Sequence, residues 1–174
     1  MPGQTRVAVF VDGANLFYAQ GEMGWVVGLR QLLEYIDGKY GVVEDAYYYI
    51  GKGTPPEEKQ QKFLNSISYS GYTLITKTLK TIRDDDGIVK QKANLDIEIV
   101  LDMFNTIDNY DLAVLVSGDG DFDRALQLLR ARGKRFIVMS TDAYIARELR
   151  NTAGRHYINI ESLKDELWYR DLDN

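Results

Sequence analysis

Two short apolar runs constrain this chain more than anything else in it. Val7-Ala8-Val9-Phe10-Val11 and Leu112-Ala113-Val114-Leu115-Val116 contain no polar residue. A strand with one wet face alternates apolar and polar side chains, whereas a strand covered on both faces reads as a continuous apolar run. Each run ends abruptly in a small acidic turn, the first at Asp12-Gly13-Ala14-Asn15 and the second at Ser117-Gly118-Asp119-Gly120-Asp121. The chain therefore offers two fully buried strands that stop at carboxylates.

Between and after these runs the pattern alternates. Leu29 to Tyr40 places Leu32, Leu33 and Ile36 at helical spacing and closes at Gly41. Val42 to Ile50 is β-branched and tyrosine-rich, as a strand is. Pro55-Pro56-Glu57-Glu58 opens a helix to Tyr69, with acids at its positively polarised end. Tyr72 to Thr76 is a third strand, and Thr78 to Lys92 reads as a hairpin turning at Asp86-Gly87. Asn94 to Phe104 is helical, with Ile97, Val100, Leu101 and Phe104 as its expected apolar face. A helix from Asp121 to Arg132, a strand from Arg135 to Met139, a helix from Ile145 to Asn151, a strand from Tyr157 to Ile160 and a helix from Ser162 to Trp168 complete the series. Such alternation predicts an α/β domain spanning 1–174, with a mostly parallel sheet covered on both faces. The carboxyl ends of all parallel strands then share one edge. If the two apolar strands are neighbours, Asp12 and Asp119 meet there.

Composition limits the chemistry. The 174 residues contain no cysteine and a single histidine, His156, which removes thiolate zinc sites, thiol catalysis and most imidazole-built sites. Carboxylates, amides, hydroxyls and lysines remain. No apolar window reaches membrane-spanning length, and the polar start lacks a signal-peptide core, so a cytoplasmic, non-membrane protein is expected. The net charge of −5 argues against a general nucleic-acid coat without excluding a local basic surface.

Asp119, Asp121 and Asp123 crowd one turn, and close carboxylates repel unless a positive charge sits among them. Asp96 joins them on other grounds: Val100 and Met103 share its stripe of the helix, which points it toward the protein. Asp102 shares a stripe with Glu98 and Asn105 instead, and reads as solvated. Other motifs fail at a needed residue. Gly118-x-Gly120 lacks the third glycine of a dinucleotide loop, where Asp123 stands. Asp119-x-Asp121-x-Asp123 has Arg124 where a calcium loop needs glycine. Gly51-Lys52-Gly53-Thr54 lacks the spacing of a P-loop.

Three segments, Val9-Phe10-Val11-Asp12-Gly13-Ala14-Asn15-Leu16, Lys92-Ala93-Asn94-Leu95-Asp96 and Ser117-Gly118-Asp119-Gly120-Asp121-Phe122, together resemble the motifs of the NYN domain family, in its bacterial LabA-like branch. The resemblance implies a three-layer α/β/α, PIN-like (Rossmann-like) fold and a metal-dependent ribonuclease site of clustered acids. It carries Asp12, Asp96, Asp119 and Asp121 over as catalytic and metal-ligating residues, with Asn15 and Ser117 supporting them. Asp123 and Asp142 lie outside the positions that match.

Oxygen ligands suit Mg²⁺ or Mn²⁺, which activate water and stabilise phosphodiester charge. RNA, single-stranded, is the expected substrate. Lys80, Lys90 and Lys92, with Lys77 and Arg83, crowd the hairpin before Asp96 and are the candidate phosphate contacts; edge-protecting lysines are the equally plain alternative. Phe17 and Tyr18 are placed to stack on a base, while Tyr47, Tyr48 and Tyr49 are expected in the core. A non-catalytic regulator that keeps the acidic pocket is the alternative function, with a homodimer or a protein partner left open. A haloacid-dehalogenase-type phosphatase fits less well, because position 14 is alanine rather than the second acid.

Overall fold

The structure, a computed structural model, describes residues 3–170. Its centre is strand β1 (Arg6–Asp12), flanked by β2 (Val42–Lys52) on one side and β6 (Leu112–Val116) on the other. With β3 (Thr73–Thr78), β7 (Arg135–Ser140) and β8 (Tyr157–Asn159) they form a parallel six-stranded sheet of order β3-β2-β1-β6-β7-β8. The chain winds outward from β1 in one direction, then returns to build the other half. Asp12 and Ser117 thus fall at the point where the winding reverses, the usual place for a site in an open α/β sheet.

The unbroken apolar runs are explained by what covers them. Val7, Val9 and Val11 of β1, with Leu112, Val114 and Val116 of β6, face one core. Helices α1 (Gly13–Met23), α2 (Leu29–Tyr40), α3 (Glu58–Tyr69) and α7 (Lys164–Leu167) contribute Leu16, Leu32, Ile36, Leu64, Ile67 and Leu167 to it. Ala8, Phe10, Ala113 and Leu115 face a second core, filled from α4 (Asp96–Asn105), α5 (Asp123–Ala131) and α6 (Arg147–Ala153). Neither strand has a wet face, so neither needs alternation.

The hairpin forms as expected, β4 (Lys80–Arg83) pairing antiparallel with β5 (Val89–Lys92) outside the main sheet. Tyr48 and Tyr49 are buried, and Tyr47 stacks on Phe10 at 5.4 Å, so the tyrosines of β2 belong to the core. His156 lies edge-on to Phe136 at the surface.

Four details differ from the sequence reading. Helix α1 is absent from it: the buried stripe is only Leu16 and Ala19, while Phe17 and Tyr18 are exposed, so apolar residues show no clean period. The helix expected from Asp121 begins at Asp123, after a 3₁₀ turn at Gly120–Phe122. The helix expected over Ser162–Trp168 is a 3₁₀ turn at Ile160–Leu163 followed by α7, and Trp168 instead bridges Val27. In α4 Val100 and Phe104 pack on the core as expected, but the fully buried residues are Ile99 and Met103, and Ile97 and Leu101 face outward at 69% and 62% exposure.

Candidate metal centre

Asp12 is the last residue of β1 and the cap of α1. Its Oδ1 accepts from the backbone N–H of Asn15 at 3.3 Å, and its Oδ2 accepts from Ser117 Oγ at 2.9 Å. Asp12 is 9% exposed and Ser117 1%. Asn15 Oδ1 accepts from the backbone N–H of Gly118 at 2.9 Å, and Ser117 Oγ accepts from that of Asp119 at 3.1 Å. These bonds stitch the turn after β1 to the turn after β6, so Asn15 and Ser117 join the two turns through hydrogen bonds rather than charge.

The turns can approach this closely because of two glycines. A side chain at position 13 would meet the carbonyl oxygen of Tyr49 at 2.5 Å, and one at position 118 would meet that of Tyr144 at 2.5 Å. Either would force backbone apart where the acids converge.

Asp96 arrives from the other side of the crevice, in the first turn of α4. Its backbone N–H donates to Asn94 Oδ1 at 2.8 Å, which fixes the start of the helix. One carboxylate oxygen each from Asp12, Asp96 and Asp119 lies within 4.8 Å of the other two. Asp121 comes close without joining: its side chain is exposed, and its N–H donates to Asp119 Oδ1 at 2.9 Å. Asp123 turns away, accepting from Thr152 Oγ1 and from Gln127 Nε2. Asp142 accepts from Tyr157 Oη at the surface. The glycine-acid spacing that suggested a phosphatase therefore does not bring its second acid to the crevice.

Electrostatics record the crowding. Burial, then the charges of Asp119 and Asp12, push the Asp96 carboxyl up to about 7. Burial raises Asp12 as well, partly offset by the Ser117 hydroxyl and the Asn15 N–H. These groups resist being ionised together unless a cation joins them. Three carboxylate oxygens around one Mg²⁺ or Mn²⁺ sit about 3–4 Å apart, so the observed spread needs only a small side-chain closure. The donors are all oxygen, as a hard divalent ion prefers. The residues present fit such an ion, and Asp12, Asp96 and Asp119 would hold it.

Around the acids lies a cavity of about 200 Å³ lined by residues that include Asn15, Tyr18, Tyr49, Lys92 and Asn94. Of the candidate phosphate contacts, Lys92 reaches this cavity, whereas Lys80 and Lys90 stay exposed along the hairpin. Lys77 is engaged elsewhere, with Glu98 Oε1 at 2.8 Å and the Asn94 carbonyl at 3.1 Å.

The NYN domain family matches residues 6–161, taking in all three acids and both supporting residues. The chain belongs to the NYN domain family. It falls in the LabA-like branch of that family, being 45% identical over 163 residues to the low amplitude and bright protein LabA of Synechococcus elongatus. That alignment covers 92% of this chain and 86% of the relative. A solved structure of a Vibrio parahaemolyticus protein of unknown function shares the overall fold, with a TM-score of 0.76. It covers 97% of this chain and 99% of its own at 22% identity. No helix among the described residues is long and apolar enough to cross a membrane.

The sequence missed two residues beside the site, Tyr49 and Asp102. Tyr49 Oη donates to Asp102 Oδ2 at 2.8 Å, and Asp102 is half-buried rather than solvated. The only signal was the register: Tyr49 pairs with Asp12 at the carboxyl end of the sheet.

Proposed function

We propose that this NYN protein is a regulatory binding protein that keeps a divalent cation, Mg²⁺ or Mn²⁺, in its acidic crevice. The observation that carries the reading is the convergence of Asp12, Asp96 and Asp119 within 4.8 Å. Three carboxylates suit one ion, and Asp121 stays in solvent nearby. The LabA relative, alike over most of both chains, bears a name that states no reaction. Binding through a metal-organised pocket accounts for the site without requiring turnover.

The second reading is metal-dependent hydrolysis of RNA phosphodiesters, favoured by Lys92 at the cavity. A bound ion supplies acidity to a coordinated water and neutralises phosphate charge. The chain's own part is to fix the three carboxylates, to exclude water around Asp12 and Ser117, and to bring Lys92 to a phosphate oxygen. Asn15 has its carbonyl oxygen committed to Gly118, which leaves its amide N–H₂ as the group free to orient a substrate.

One pair of measurements separates the readings. Mn²⁺ is titrated into wild type and Asp12→Asn, and both are then incubated with labelled single-stranded RNA and with p-nitrophenyl phosphate. The regulatory reading expects metal binding by wild type alone and intact RNA in both. RNA loss with wild type, absent with Asp12→Asn and in chelator, would replace it with the nuclease. Equal loss in both marks a contaminant, and wild type that takes up no Mn²⁺ removes the metal from either account.

A further inference from the structure

Helix α4 carries Asp96 within a broad apolar arc, which turns Asp96 inward but sets the rotation of the helix only loosely. Ile97, Ile99, Val100, Leu101, Met103 and Phe104 spread over a little more than about half of the helix circumference, and Glu98, Asp102 and Asn105 occupy the rest. At roughly 100° per residue, exposed Ile97 and Leu101 lie about a third of a turn from the face on the core, to which Ile99, Val100, Met103 and Phe104 belong. Either rotation removes several large apolar side chains from water, so burial alone does not choose between them. Only the observed rotation brings Asp96 to Asp12 and Asp119.

Polar contacts must break the tie. Lys77 pairs with Glu98 at 2.8 Å, but both side chains are substantially solvated, and such pairs hold little. Tyr110 Oη donates to the carbonyl of Met103 at 2.7 Å. Main-chain carbonyls point along the helix axis, so that bond fixes height more than rotation. Besides the local cap at Asn94 and the contact of Asp96 with Asp119 inside the cluster itself, α4 is tied to the sheet by the 2.8 Å bond from Tyr49 Oη to Asp102 Oδ2. Tyr49 is 1% exposed and sits in β2 opposite Asp12. Its acceptor is a side chain on the flank of α4, six residues beyond Asp96. A short bond from a rigid ring to a carboxylate is directional and of the stronger kind.

We propose that Tyr49 and Asp102 are the positioning residues of the acidic site: their bond sets the rotation of α4 and so holds Asp96 in the cluster. The inference rests on the metal-binding reading for its consequence but not for its geometry. Tyr49 works through two elements at once. Its backbone extends the strand beside β1, and its hydroxyl reaches across the second core to α4. The site is thereby measured from the sheet edge on which Asp12 stands.

The test compares Mn²⁺ affinity and melting temperature for wild type, Tyr49→Phe, Asp102→Ala, Asp102→Asn and Tyr72→Phe. Tyr72 also donates from a buried hydroxyl, to the Leu29 carbonyl at 2.8 Å, but on the opposite face of the sheet. Tyr49→Phe and Asp102→Ala should weaken Mn²⁺ by about tenfold, the low end for groups that orient a ligand, while Asp102→Asn, whose amide oxygen still accepts, and Tyr72→Phe stay within about twofold of wild type. Unchanged affinity in Tyr49→Phe, or an equal loss in Tyr72→Phe at a similar melting temperature, overturns the proposal. A crystal structure of metal-free Tyr49→Phe gives the second readout. Asp96 turned away from Asp12 supports it, and Asp96 in place overturns it. That readout stands even if wild type binds no Mn²⁺, a result that counts against the metal reading alone.

Discussion

The two halves of the acidic crevice are built by different physics. Asp12 and Asp119 stand at the ends of neighbouring parallel strands, and a mesh of hydrogen bonds through Ser117, Asn15 and three backbone amides locks their turns together. Asp96 comes on a helix whose start is fixed by Asn94 but whose rotation rests on contacts elsewhere. Strand topology brings these two carboxylates to the same edge, and the bonds between the turns fix them there. A helix delivers it only as well as its face is chosen.

The largest test of that contrast is ligand deletion. Asp12→Asn should remove Mn²⁺ binding beyond the roughly 10–100-fold that a ligand's outer partners account for, because Asp12 is the acid fixed from both turns. Asp96→Asn should be costly but less so. Calorimetric titration of the two side by side checks the order, and a greater loss at Asp96 would show that the helix-borne acid dominates.

Protonation gives an effect of middle size. Asp96 titrates at about 7 in the folded chain and at about 4 when unfolded. Between those values the folded chain holds a proton that the unfolded chain has lost, so stability falls as pH rises through the window and levels off above it. In chelator, the melting temperature should be a few degrees higher at pH 5 than at pH 8, and Asp96→Asn should flatten the difference. A wild-type profile that rises toward pH 8 no less than the variant's would mean that the three carboxylates do not repel as their spacing requires.

The smallest effect should come from Asp121→Asn. The side chain is solvent-facing and contributes only the last of the influences on Asp96, so Mn²⁺ affinity should change by less than about twofold, well below what removal of a ligand-orienting group does. A loss comparable to that of Asp96→Asn would add Asp121 to the ligands and bring the site to four acids.

Much of this was legible in the sequence because it followed from continuity and order. The runs Val7–Val11 and Leu112–Val116 announced doubly covered strands, and right-handed crossovers then fixed the edge on which Asp12 and Asp119 lie. Asp96 was placed by its apolar company at Val100 and Met103. What stayed hidden was orientation. The apolar face of α4 was half right, Val100 and Phe104 packing on the core while Ile97 and Leu101 face out, and Asp102 looked solvated because its donor lies 53 residues away on another element. Helix α1 escaped because a stripe of leucine and alanine beside exposed aromatics has no readable period. In each case a long-range partner decides what local pattern leaves open.

The span of the Ser117–Asp12 bond, 105 residues, has a consequence for the order of events. During synthesis β1 emerges early and can pair with β2, yet the crevice has only one wall until β6 arrives. Closing so large a loop carries an entropic penalty that the sheet must meet before either turn gains its partners. Any cation held among Asp12, Asp96 and Asp119 would therefore bind the finished chain and nothing before it, adding its binding free energy to the native state alone. Cation affinity would then serve as a gauge of completed folding.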